Sequence, residues 1–258
     1  MTDEGYLFDL GRRDYLDVLD LQHNLLDLRG KNTIPDSLIL VEHDPVFTVG
    51  KSIAREALPT NINGIPVIQI ERGGQWTYHG PGQLVGYPIL NLESRNRDIH
   101  GFIRNLEEML ILALKEFEIP AERSPLQAGV WVREKKIASI GTAIRRWLTF
   151  HGFALNVNVD LSYFSMITPC GLPSSTMTSM KFFLQHDVSF TDVKFSIIRK
   201  FQSTFQLQLT EKPIDPIEQP GSKNRLRQCS GNSPSDHKEE QGSKPEDGSE
   251  HTKLKSWA

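Results

Sequence analysis

The sequence predicts an α+β domain: a mixed, mainly antiparallel sheet flanked by helices, with the helices packed on one side. Three observations carry that expectation. Short runs rich in β-branched and aromatic residues fill the first two thirds of the chain, mostly separated by hairpin-length turns. Three longer segments instead repeat apolar residues at helical spacing. Between two strand-like runs lies Arg72-Gly73-Gly74-Gln75-Trp76-Thr77-Tyr78-His79-Gly80-Pro81-Gly82-Gln83, with four glycines and a proline in twelve positions. Glycine belongs where the backbone needs positive φ or where a ligand comes close to the main chain. The stretch reads either as a glycine-rich hairpin with a solvent-facing His or as a ligand-cradling segment.

Taken in order, residues 6–10 read as a first strand closed by Gly11. Asp14 is placed to cap a helix to about Leu28, through Tyr15, Val18, Leu19, Leu21, Leu25 and Leu26. Gly30 and Pro35 mark a break. Residues 37–42 form a strand expected to pair with 46–50 across His43-Asp44-Pro45, which makes His43 a surface residue at a turn. Residues 65–70 and 84–90 flank the glycine-rich stretch. Asp98 caps a helix over 99–117, with Phe102, Ile103, Leu106, Met109, Leu110, Ala113, Leu114 and Phe117 on one core-facing side. Residues 129–133 and 135–144 read as a hairpin, and 148–159 as a longer strand. A last helix covers 193–205, its buried stripe being Phe195, Ile197, Ile198, Phe201 and Phe205.

The composition divides the chain into a catalytic-sized domain at 1–212 and a tail at 213–258. In the tail, Pro, Ser, Gly, Lys and Glu dominate, and a disordered segment is expected. The formal net charge of −3 implies no broad basic face, so no nucleic-acid partner is expected. Two cysteines, Cys170 and Cys229, make a disulfide framework improbable and favour a reducing, cytoplasmic setting. No apolar run approaches the ~20 residues of a membrane span. The acidic start, Met1-Thr2-Asp3-Glu4, does not resemble a secretory signal.

Cys170, in Pro169-Cys170-Gly171, is either a small buried hydrophobe or a nucleophile. A nucleophilic thiol needs a nearby cation or helix-terminus amides. Lys136, His79, His151 and Arg72 are the candidates. Lys136, at the start of an apolar strand, reads first as a solvated edge residue, and otherwise as a partly desolvated amine able to exchange protons with a thiol. No Cys/His set has metal-ligand spacing, and no P-loop is present.

Four motifs, in order, resemble those of the lipoyl(octanoyl) transferases: the 72–83 stretch; Gly129-Val130-Trp131-Val132 followed by Lys136-Ile137-Ala138-Ser139-Ile140-Gly141; His151-Gly152-Phe153-Ala154-Leu155-Asn156; and Pro169-Cys170-Gly171-Leu172. The resemblance spans about 7–205. It implies the fold shared by biotin protein ligases and lipoate ligases. It also implies transfer of an octanoyl group from octanoyl-acyl carrier protein to a lysine of a lipoyl domain. The acceptors implied are the E2 subunits of 2-oxo acid dehydrogenases and the glycine-cleavage H protein. No cofactor, metal or membrane is implied, and a monomer is expected.

Carried over, the resemblance makes Cys170 the thioester-forming nucleophile and Lys136 the residue that lowers its pKa. It places Arg72, Gly73, Gly74, Gln75, Trp76, Thr77, Tyr78, His79, Ser139, Ile140, Gly141, Gly152, Phe153 and Ala154 at the bound acyl substrate. Trp76 and Asp44 depart from the family pattern, and Trp76 would alter the tunnel width if it pointed inward. An ATP-dependent ligase on the same fold is the alternative, and the biotin-ligase adenylate loop is not evident. A non-catalytic module binding an acyl carrier or a lipoyl domain is the other alternative.

Overall fold

The computed structural model describes residues 3–214 other than 126 and 170, and the backbone of 255–257. Cys170 and most of the tail expected to be disordered therefore lie outside the described residues. Two sheets organise the rest. The larger runs β12-β1-β2-β7-β11-β10-β9-β8, with β13 beside β10; the smaller runs β4-β5-β3-β6.

Strand β1 (Asp3–Arg13) continues past Gly11 and lies parallel to both β2 (Asp36–His43) and β12 (Leu207–Glu211). From β2 inward the neighbours are antiparallel: β7 (Gln83–Ile89), β11 (Leu148–Asn156), β10 (Lys135–Arg145), β9 (Gly129–Val132) and the short β8 (Glu122–Arg123). The sheet is thus mixed and mainly antiparallel, as expected. β13 (Lys255–Trp257) pairs antiparallel with β10 at Thr142, Ala143 and Ile144.

One pairing differs from expectation. β3 (Val46–Gly50) does not return along β2. It crosses into the small sheet, parallel to β5 (Ile65–Ile70) and antiparallel to β6 (Trp76–His79). β4 (Asn61–Ile62) closes that sheet's edge. Hence β6 is a strand inside the predicted loop, and the strands flanking the glycine-rich stretch belong to different sheets. Both β2 and β3 are buried on both faces, so they lack the alternation that would have separated a hairpin from a crossover.

The helices lie on both faces, not one. α1 (Tyr15–Gly30), capped by the Asp14 carboxylate, packs Val18, Leu21, Leu25 and Leu26 against Ile39, Val85, Ile89 and Phe150. On the opposite face α2 (Ile99–Lys115), capped by Asp98, joins α4 (Phe190–Phe205) over Leu38, Leu40, Leu84, Ile140 and Phe153. Alternating strand residues feed both cores, so the central strands are apolar almost throughout. A short α3 (Met180–Leu184) precedes α4. Within α4, Val193, Ser196, Ile197, Phe201 and Phe205 are the buried positions, whereas Phe195, expected in that stripe, is 57% exposed. His43 is likewise not a surface residue: it is fully buried, its Nε2 2.8 Å from the Tyr87 hydroxyl.

Candidate active site

A cavity of about 530 Å³ opens where the glycine-rich stretch, β10, β11 and α2 meet. This volume is within the range of small-molecule sites. Local sequence explains how each wall is held.

Arg72 is 6% exposed. Its guanidinium donates to the Gly73 carbonyl at 2.8 Å and to the carbonyl and Oγ1 of Thr48 at 2.9 Å each. The crossover of β3 into the small sheet is what brings Thr48 there. Arg72 then lies over Gly141, where an added Cβ would sit 3.2 Å from its Cδ. Opposite Gly141 in register is Gly152. A Cβ on Gly152 would stand 2.1 Å from the Gly86 carbonyl oxygen. Side chains on this pair would force Arg72 away from β10 and part β11 from β7.

Along β6, alternation splits the residues between two sides. Thr77 and His79 face the cavity. Trp76 and Tyr78 face away, into a cluster with Phe47, Phe164 and Tyr163. The structure therefore does not bring Trp76 and Tyr78 to the cavity wall, and Trp76 has no part in its width. Of the remaining residues expected at the acyl group, Arg72, Gly73, Gly74, Gln75, Thr77, His79, Ser139, Ile140, Gly141, Gly152, Phe153 and Ala154 line the cavity, as does Lys136.

His79 begins a buried hydrogen-bond chain. Its Nδ1 lies 2.7 Å from Gln83 Oε1, Gln83 Nε2 donates to Asn156 Oδ1 at 2.9 Å, and Asn156 Nδ2 donates to the Thr178 carbonyl at 2.9 Å. The amide oxygen of Gln83 can only accept, so Nδ1 of His79 carries a proton. This chain fixes two of the motifs to each other and to the segment that follows Gly171.

Lys136 is 3% exposed, contrary to the edge-residue reading. The register of β10 against β9 slips between Lys136 and Ala138, and such a bulge re-aims the side chain beside it. The Lys136 ammonium lies 5.5 Å from the centre of the Trp131 ring. Its carbonyl accepts from Thr178 N at 3.0 Å, and Met177 bridges to it in parallel fashion. The segment after Gly171 is thereby fastened along Lys136. The described neighbours of Cys170 lie against the glycine-rich stretch: Pro169 bridges Trp76, and a Cβ on Gly171 would lie 3.6 Å from Gln75 Oε1.

The inner wall is more polar than the sequence suggested. Tyr15, Tyr87 and His151 join His79 there, with His43 directly behind. Burial pushes the histidines down, His43 to about 4 and His79 and His151 to about 3. All three are neutral near pH 7. Burial also raises the Tyr15 and Tyr87 hydroxyls, so both stay protonated. At the outer wall, α2 contributes His100, Ile103, Arg104 and Glu107. Glu107 could have been found from its position, since it is an acid on the apolar side of α2. Tyr15 and Tyr87 left no such mark among their apolar neighbours. Among the described residues, no group of three or more His, Cys, Asp or Glu side chains is placed to hold a metal ion.

Solved lipoate protein ligases share this fold. A bipartite lipoate protein ligase of Thermoplasma acidophilum superposes with a TM-score of 0.65 at 22% identity, covering 81% of this chain and 87% of its own. A lipoate-protein ligase A bound with ATP superposes at 0.64, with 20% identity and coverage of 82% and 89%. These likenesses concern the fold. The lipoyl protein ligase A/B catalytic domain model matches residues 14–202, and the chain belongs to that family. Two octanoyltransferases are much nearer in sequence. That of Syntrophotalea carbinolica is 45% identical, over 78% of this chain and 94% of its own. That of Geobacter metallireducens is 43% identical, over 75% and 90%. The sequence thus groups this chain with the family's octanoyltransferases, which are acyltransferases.

Proposed function

We propose that this protein moves an octanoyl group from a carrier thioester to a lysine amine of a lipoyl domain, with Cys170 as the covalent way-station and Lys136 as its proton-transfer partner. The observation that carries this reading is the burial of Lys136 in the wall of the cavity, next to the segment that follows Cys170. Lysine is among the residues least often buried, and here it is 3% exposed.

The chemistry is a pair of acyl exchanges. The Cys170 thiolate attacks the octanoyl carbonyl, the bond to the carrier sulfur breaks, and the carrier thiolate takes a proton from the Lys136 ammonium. The incoming lysine amine then attacks the Cys170 thioester. Lys136 accepts the proton that this amine sheds, the carbon–sulfur bond breaks, and an amide forms. A thioester lies well above an amide in energy, so no nucleotide is consumed. The carrier and acceptor expected are an octanoyl-acyl carrier protein and lipoyl domains, those of 2-oxo acid dehydrogenases and the glycine-cleavage H protein included. The named octanoyltransferases at 45% and 43% identity support this reading over ATP-dependent ligation.

The test is intact mass after incubation with octanoyl-acyl carrier protein and no ATP. An adduct of one octanoyl group, released by hydroxylamine and absent in Cys170→Ser, is the expected result. An adduct that survives that substitution removes Cys170 from the mechanism. Transfer that needs ATP replaces the reading with ligation.

A further inference from the structure

Among the described residues lining the cavity there is one acid, Glu107 of α2, set against Arg72, Arg104 and Lys136. It is 6% exposed. A buried carboxylate is costly unless its oxygens are bonded, and here each oxygen has its own donor. Oε1 accepts from the Gly129 backbone N–H at 3.1 Å, and Oε2 lies 3.2 Å from Arg123 Nε. Glu107 thus joins α2 to the first residue of β9 by a bond that an apolar side chain cannot make.

That first residue is the seat of Lys136. A Cβ on Gly129 would stand 2.6 Å from Cε of Lys136 and 3.3 Å from its Nζ, so the main chain at Gly129 is the floor under the end of the lysine. Trp131, paired with Lys136 in register, supplies a second wall. Lysine carries its nitrogen on a flexible four-carbon stem, which stays in one place only where its walls are fixed. Both walls belong to β9. On its outer side β9 meets the two-residue β8, which pairs with Val130 and Trp131. Gly129 lies outside that pairing, and its N–H goes to Glu107 instead.

We infer that Glu107 is a positioning residue, which through the Gly129 N–H fixes the seat that holds the Lys136 nitrogen at the cavity wall. The inference rests on the functional reading above, in which Lys136 and Cys170 exchange a proton. It makes the reach of one acceptor oxygen decisive, and the charge of the side chain secondary. Glutamine keeps an oxygen at that reach. Its amide no longer suits Arg123, but the Arg123 side chain is 42% exposed and can turn to Glu108 and to water. Aspartate keeps the charge but is shorter by one carbon–carbon bond, ~1.5 Å, and leaves Gly129 N without its partner.

The experiment follows iodoacetamide alkylation of Cys170 against pH in the full chain, by peptide mass mapping, with Cys229 as a second thiol in the same digest. The pH of half-maximal rate reports the thiol–thiolate balance. In the wild type it should lie below the ~8.5 of an ordinary thiol, and Lys136→Ala should raise it toward that value. Glu107→Asp and Glu107→Leu should raise it as well, whereas Glu107→Gln should stay with the wild type. In transfer assays the Asp and Leu variants should lose at least about tenfold in kcat, with KM for octanoyl-acyl carrier protein within about twofold. The milder Asp substitution decides the matter if the Leu variant does not fold. A midpoint raised by Gln but not by Asp overturns the inference in favour of a purely electrostatic role. A midpoint that Lys136→Ala raises and neither Asp nor Leu moves overturns the role of Glu107 alone. A wild-type midpoint at ~8.5, unmoved by Lys136→Ala, overturns the functional reading and the inference with it.

Discussion

A Cβ placed on Gly129 would lie 2.6 Å from Cε of Lys136, so the lysine's aliphatic stem occupies the space that any other residue at 129 would fill. Gly129 has φ of 132°, and the same Cβ would approach the Ala138 carbonyl oxygen to 2.7 Å. Gly129 N in turn donates to Glu107 Oε1 at 3.1 Å, which ties this seat to α2. Gly129→Ala is expected to displace Lys136, cut transfer by tenfold or more and destabilise the fold by at least about 1 kcal/mol. Steady-state transfer and urea unfolding of the same sample would check both effects. Full activity in this variant would show that the seat is not needed.

If Lys136 moves the protons, Lys136→Ala should lower kcat by on the order of 10²–10⁴-fold. The octanoyl-enzyme adduct should still form, slowly, when wild-type donor is supplied in excess. Rapid-quench mass measurement separates acylation from turnover, and an unaltered kcat would remove Lys136 from the chemistry.

The His79–Gln83–Asn156–Thr178 chain is buried along its length. Replacing Asn156 by Leu leaves Gln83 Nε2 and the Thr178 carbonyl each short of a partner. Such a loss costs about 1–3 kcal/mol per orphaned group. Chemical denaturation should show that loss. Activity should fall as well, because Thr178 also donates to the Lys136 carbonyl.

The buried histidines make the fold acid-sensitive. In the unfolded chain they titrate near 6.5, whereas burial holds His43 to about 4 and His79 and His151 to about 3. Between those values the unfolded state binds protons that the native state refuses. Stability is therefore complete above about pH 6.5 and is lost as pH falls toward 4. Glu71, lowered to about 2 chiefly by its hydrogen bond from His23, adds to the loss below about pH 4.5. Urea midpoints between pH 7 and pH 4.5 should fall steadily, and His43→Gln should flatten that slope. A midpoint independent of pH would mean that the histidines protonate without unfolding.

Much of this protein was legible in its residues. Helix ends followed from Asp14 and Asp98, whose carboxylates accept from the first-turn amides because nothing else can reach them. The antiparallel pairing of β9 with β10 followed from strand-like runs separated by a short turn. The glycines at 73, 74, 141 and 152 were equally visible, and all four line the cavity. What the residues could not reveal were the relations set by long-range packing. Val46 to Gly50 could have paired with β2, because a strand buried on both faces carries no alternation to fix its partner. Lys136 could have pointed outward, because only a register slip against β9 turns it in. His43 could have been a turn residue, because its burial depends on Tyr15, Tyr87 and His79, which come from other parts of the chain. Local sequence determined most of the helices and strands, since those depend on neighbours within a few positions. Tertiary structure alone decided which way their residues face, since that depends on contacts between residues far apart in the chain.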